Sequence, residues 1–236
     1  MENFLKTLKW LYIHFIKLEP EEVHQQGNVN KVVASMKTTA ISRYHASTRL
    51  AWQSRIAFLT TTFLSLGLIF IPLMQLANVK LNLNENVLSA VQIFMAVAVL
   101  VYSVIIGTAK YETRCENLND CGDKIKALIR ELRREAENGK DVDKAVLEDI
   151  QQRYADIVSD VENHERCDYA LTILRYHDLY SISFLCWLKN RVVWALTILL
   201  NYVPTILLVI AEILIITDMF AITNCFSFLT VVNDKN

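Results

Sequence analysis

Residues 56–77 read IAFLTTTFLSLGLIFIPLMQLA, a run entered from Arg55, left at Asn78 and Lys80, and free of ionised side chains. At a rise of about 1.5 Å per residue, about twenty apolar helical residues cross a hydrocarbon core of roughly 30 Å, so this stretch predicts a membrane-spanning helix. A second run, 87–109, follows the polar loop 78–86 and stops at Lys110, Glu112 and Arg114, completing a membrane hairpin. A third, 192–223, begins after Lys189 and Arg191 and carries Asn201 and Pro204. It is too long for one upright span, and proline kinks a helix by deleting a ladder hydrogen bond. The reading is one tilted, kinked span, with a re-entrant pair as the alternative and the side of the C-terminus left open.

Composition agrees. Of the 236 residues 53% are apolar and 21% charged, so the two kinds must be segregated along the chain. Five Gly and three Pro leave little for the turns of a many-stranded sheet or for a phosphate loop. The expected fold class is an all-α integral membrane protein: a two-helix transmembrane hairpin, a cytoplasmic antiparallel helical hairpin and a C-terminal hydrophobic segment. The expected divisions are 1–35, an amphipathic cytoplasmic region; 36–109, a basic lead-in and the membrane hairpin; 110–180, the cytoplasmic hairpin; and 181–236, the last membrane segment and tail. Near the start, Phe4, Leu8, Leu11, Phe15 and Leu18 share one side, with Lys6, Lys9 and Lys17 elsewhere, a pattern suited to a membrane surface and unlike a cleaved signal peptide.

Basic residues resist translocation. Lys31, Lys37, Arg43, Arg49 and Arg55 precede the first span and Lys110, Arg114, Lys124 and Lys126 follow the second, whereas the connecting loop has only Lys80. Both flanks are therefore expected in the cytoplasm, and most of the five cysteines fall in segments so placed, where structural disulfides are rare. With 24 basic and 25 acidic residues and no long basic run, no direct nucleic-acid binding is expected.

In the polar middle, Leu118, Cys121, Ile125, Leu128, Leu132 and Ala136 recur at helical spacing, and so do Val142, Val146, Ile150, Tyr154, Ile157 and Val161. Asn138 and Gly139 suit the turn between two helices, with Asp141 as a cap. The two stripes can close on each other. They leave Ile129, Leu147 and Val158 on the flanks, predicted to meet the N-terminal helix or another subunit. The homo-oligomerisation candidates are Ile125, Leu128, Ile129, Leu132, Leu147, Ile150, Tyr154 and Val158.

No catalytic or phosphate-binding signature is present, so no enzyme activity and no cofactor are expected. Cys115, Cys121, His164, Cys167 and His177 are spaced poorly for zinc, and no metal is assigned. In the first span Thr61, Ser65, Leu68, Pro72 and Gln75 share a face, and in the second Ser89, Gln92, Ala96, Val99, Ser103 and Gly107 do; these faces are expected to meet as a packing seam or to line a pore. Glu212 and Asp218 are the sharpest candidates, because carboxylates at membrane depth face protein, water or a partner. The plainer reading makes Asp218 an interfacial end marker and Glu212 a side chain that snorkels or pairs within one subunit. An acid and base pair is disfavoured, since six residues do not place the two on one helix face.

The stretch Ser42-Arg43-Tyr44-His45-Ala46-Ser47-Thr48-Arg49-Leu50 before the first span, Tyr111, Cys115, Leu118 and Cys121 after the second, and Glu162-Asn163-His164-Glu165 with Asp168-Tyr169 together resemble the SLATT superfamily, the SMODS and SLOG-associating two-transmembrane effectors, over about Met36 to Tyr180. The chain looks most like the subfamily associated with reverse transcriptases. The segment beyond Arg191 departs from a minimal two-span plan. The resemblance implies an antiviral defence effector of the bacterial inner membrane that forms a pore or disrupts the bilayer on activation, giving abortive infection. It implies the lipid bilayer, other copies of the chain, and a reverse transcriptase or nucleotide-signalling sensor as partners. The alternative is a membrane-anchored coiled-coil adaptor recruiting such an enzyme.

Overall fold

Local chemistry sets where each helix begins and ends. The computed structural model describes residues 19–23, 27–137, 142–176 and 178–225. Its helices are α1 (Asn28–Leu76), α2 (Glu85–Ala109), α3 (Tyr111–Glu137), α4 (Lys144–Ser159), α5 (Arg166–Arg175) and α6 (Phe184–Met219). The all-α membrane fold is what forms. Among the described residues it adds a two-residue antiparallel pairing of β1 (Glu21–Glu22) with β2 (Tyr180–Ser181). Asn84 caps α2 by accepting from the Asn86 amide at 2.9 Å, and Ser183 Oγ accepts from the Cys186 amide at the start of α6. Lys110, at φ 48°, separates α2 from α3 by adopting the left-handed conformation that helix ends favour. The cap of α4 is Asp143, which accepts from the Ala145 amide, rather than the expected Asp141. Asp141 and the Asn138–Gly139 turn lie outside the described residues, as does the amphipathic stretch 1–18.

The chain divides into two compact units: Met1–Ala51 with Glu112–Leu200, and Trp52–Tyr111 with Asn201–Asn236. The basic lead-in thus groups with the polar helices, where the sequence suggested a division at 35/36. It is the first part of α1, a helix that continues unbroken through Pro72.

In the first unit α3 and α4 form the expected hairpin, closed by a third layer. Val33, Met36 and Ala40 of α1 pack against Cys121, Ile125, Leu128, Ile129, Leu132 and Ile150, with Leu147, Tyr154 and Val158 around them. Of the two partners expected for the flanks, the N-terminal helix or another subunit, it is α1 that meets them. Ile129 is buried, and Leu147 and Val158 are partly covered, because α1 occupies the face left for a partner. Each fully buried Leu or Ile contributes roughly 1.5–3 kcal/mol, so this core is an intramolecular one. A bidentate pair, Arg153 to Glu131 at 2.8 and 3.0 Å, ties the exposed side of the hairpin.

The second unit is a three-helix bundle. Ile71, Leu83, Leu88 and Met219 form a cluster at the loop end, where the Asn82 amide donates to the Met219 carbonyl at 3.0 Å. Tyr102 Oη and Thr205 Oγ1 meet at 2.8 Å further along. Leu88 with Met219 and Tyr102 with Thr205 fix α6 antiparallel to α2, so α6 ends where the α1–α2 loop lies. The third segment is therefore a single helix within the described residues rather than a re-entrant pair. Helices α1, α2 and α6 are each long and apolar enough to cross a membrane. Phe58, Leu66, Ile93, Phe94, Leu200 and Leu207 are each more than 60% exposed, a surface suited to lipid rather than water.

Candidate functional site

The first candidate lies in the polar unit, where two stretches distant in sequence come together. Arg49 on α1 donates from Nε and Nη2 to both oxygens of Asp168 at 3.0 and 2.9 Å, and its Nη1 lies 3.0 Å from Glu165 Oε1. Asp168, 3% exposed, also accepts from the Glu165 amide at 3.0 Å, so one carboxylate caps α5 and fixes it to α1. One turn on, Ser42 Oγ and Thr172 Oγ1 meet at 2.9 Å. Arg114 holds Glu162 through Nε at 2.8 and 2.9 Å. Tyr44 donates to Asp123 at 2.5 Å, and its ring lies so close to Gly122 that a Cβ there would come within 2.8 Å of it.

Arg43 differs from its neighbours. It is 1% exposed, yet its Nε and Nη1 have no hydrogen-bond partner, and the same is true of His164 Nδ1 and His45 Nε2. Both histidines are held below the ordinary histidine value, first by burial, then by Arg175 near His45 and Arg43 near His164, with Asp168 pulling the other way. The unfolded chain therefore protonates these rings at a higher pH than the folded chain does. The stability they contribute is present above the ordinary value of about 6.5 and is lost as the pH falls through it towards the folded values. Melting temperature is expected to fall between about pH 7.5 and pH 5.5, and His164→Gln to reduce the slope; an identical slope in that variant would contradict this assignment.

The cysteines of the polar unit serve packing. Cys115 meets Ser47 at 3.3 Å, and Cys121 meets the Ile157 carbonyl. Burial, then Asp168, pushes the Cys167 thiol up to about 12. Among the described residues no three His, Cys, Asp or Glu side chains converge as a metal site, and His177 lies outside them.

The second candidate lies in the membrane unit. Of the two expected facing stripes, one pair meets: Gln92 Nε2 donates to Gln75 Oε1 at 2.9 Å. Thr61, Ser65, Ser89 and Ser103 instead donate to carbonyls four residues earlier on their own helices, and Gly107 faces open space. The buried face of α1 is turned by one position, to Ala57, Thr60, Leu64, Gly67 and Ile71; that of α2 is Leu88, Met95 and Tyr102. Asp218 is buried and bonded to its own loop, accepting from Thr223 Oγ1 at 2.5 Å and the Cys225 amide at 3.0 Å. Glu212 is 2% exposed, no side chain donates to its carboxylate, and the group lies against the Gly67 backbone, so that a Cβ on Gly67 would overlap it. Gly67 escaped the sequence reading, although its spacing from Leu64 and Ile71 marked it as a seam position.

These features define an all-helical membrane protein with a separately packed polar helical unit. Residues 26–217 match the family described as SMODS and SLOG-associating 2TM effector domain family 5, and the chain belongs to that family. The match extends beyond the expected Met36–Tyr180 and takes in nearly all of α6, so the third helix is part of the shared pattern rather than an appendage. No curated protein and no solved structure matched the chain.

Proposed function

We propose that this chain is the membrane effector of a bacterial anti-phage defence system, which assembles with further copies of itself and opens a leak in the cytoplasmic membrane when activated. The observation that carries the reading, beside family membership, is Glu212. A buried carboxyl group with no charged or side-chain partner at membrane depth costs several kcal/mol, and such groups are retained where they serve a pathway or a rearrangement. In this reading the Gly67 contact holds the carboxylate out of reach at rest, and assembly brings it, with Gln75 and Gln92, to a polar path. The positive flanks support a cytoplasmic position for the polar unit. The adaptor alternative is less well supported, because the apolar residues that would have recruited an enzyme form an internal core. A reverse transcriptase remains the partner that the resemblance suggests for upstream control.

Dye release from liposomes carrying the purified oligomer tests the proposal. Leakage is expected, with a several-fold decrease in Glu212→Leu; vesicles that stay sealed under every activating condition would count against it.

A further inference from the structure

Helix α6 is longer than a membrane needs. At a rise of about 1.5 Å per residue its 36 residues measure about 54 Å, against roughly 30 Å of hydrocarbon, so about sixteen residues exceed an upright crossing. Met219 holds the far end at the α1–α2 loop, and the excess therefore falls at the start of the helix. That start is not a water-facing sequence. Cys186 is buried and Asn190 half-buried, joined by the Asn190 side-chain amide donating to the Cys186 carbonyl at 2.9 Å. On the opposite side Phe184, Trp187, Leu188 and Arg191 are all exposed, at the spacing of a single helix face. The rings of Phe184 and Trp187 stack at 6.2 Å, the Arg191 guanidinium lies 4.9 Å from the centre of the Trp194 ring, and Lys189 is exposed beside them.

Neither Lys189 nor Arg191 enters an ion pair among the described residues, and no acidic residue occurs between Asp178 and Glu212. A second copy docked on this face would bring the two cations towards their equivalents with no carboxylate to answer them. Anionic headgroups supply that charge, and aromatic rings with cations on long stems at the end of an apolar helix suit the headgroup zone. We infer that the start of α6 is a binding surface for anionic phospholipid. Lys189 and Arg191 meet the headgroup phosphates, while Phe184, Trp187 and Leu188 sit at the glycerol and upper acyl level. The inference needs α6 to cross a membrane and is independent of whether the assembled protein conducts.

Tryptophan quenching by brominated lipid tests it. The chain has four tryptophans, so full-length protein carrying Trp10→Phe and Trp52→Phe reports from Trp187 and Trp194 on α6 alone. This parent is reconstituted in bilayers of phosphatidylcholine and phosphatidylglycerol, with bromine on the acyl chains of one lipid or of the other. Quenching is expected to give a relative binding constant several-fold in favour of phosphatidylglycerol. That preference should disappear in Lys189→Gln with Arg191→Gln, two exposed positions where melting should stay at the parental value. It should persist in Lys80→Gln, which removes a basic residue from the α1–α2 loop at the other end of the spans. Equal quenching by the two lipids in the parent, an unchanged preference in the double glutamine variant, or its equal loss in Lys80→Gln would overturn the inference. Weak quenching by both lipids would overturn it too, by showing the face covered by another copy.

Discussion

Arg49→Ala is expected to lower the stability of the protein by about 3–5 kcal/mol, because it leaves Asp168 buried without its counter-charge. In a chain of this size that is a fall of roughly 10 °C in melting temperature. The loss should exceed that from Arg114→Ala, whose ion pair with Glu162 is more than a third exposed and is worth at most about 1 kcal/mol. Asp168→Ala should be equally damaging, since it also removes the cap of α5. The double variant Arg49→Met with Asp168→Leu should recover much of the loss, because replacing both members of a buried pair by apolar groups is far cheaper than orphaning one. Melting curves of the four variants decide the matter. Similar losses for the Arg49 and Arg114 variants would remove the clasp from the account.

Gly67→Ala is the second change expected to have a large effect. The added methyl would occupy the position of the Glu212 carboxylate, so either the carboxylate moves towards lipid or α1 and α6 separate. Overpacking of this kind costs about 1–3 kcal/mol. On the proposed function it should also raise resting leakage, by releasing the group held at rest. Glu212→Ala in the same chain should restore wild-type stability, since a methyl then faces a methyl across the seam. A Gly67→Ala protein with unchanged melting and resting leakage would contradict the contact, and so would failure of the second change to rescue the first.

Much of the architecture was legible because lipid imposes simple demands on sequence. The runs at 56–77 and 87–109 announce spans through length and lack of charge, and the Ile125 and Ile150 stripes announce the hairpin through period. The first part of α1 was harder to read. Its buried positions Met36, Ala40, Arg43, Ser47 and Leu50 mix polar with apolar side chains, so a half-polar seam read as a basic lead-in. In the membrane the seam was misphased for a different reason. Thr61 and Ser65 can satisfy themselves on their own helix carbonyls, so a weakly polar face need not turn towards protein. The pairing of Arg49 with Asp168 joins residues 119 positions apart, which no local period encodes. The short stretches containing both residues carried the family resemblance, and the structure supplies a physical reason for them.

On the proposed function the chain crosses the membrane three times, which puts the end of α6 across the bilayer from the cytoplasm. Cys225 reports on this directly, being exposed while the other four cysteines are buried or half-buried. In intact spheroplasts a membrane-impermeant maleimide is expected to label the wild type and not the Cys225→Ser variant. Labelling that requires permeabilised membranes, or recovery of the protein in the soluble fraction without detergent, would contradict it.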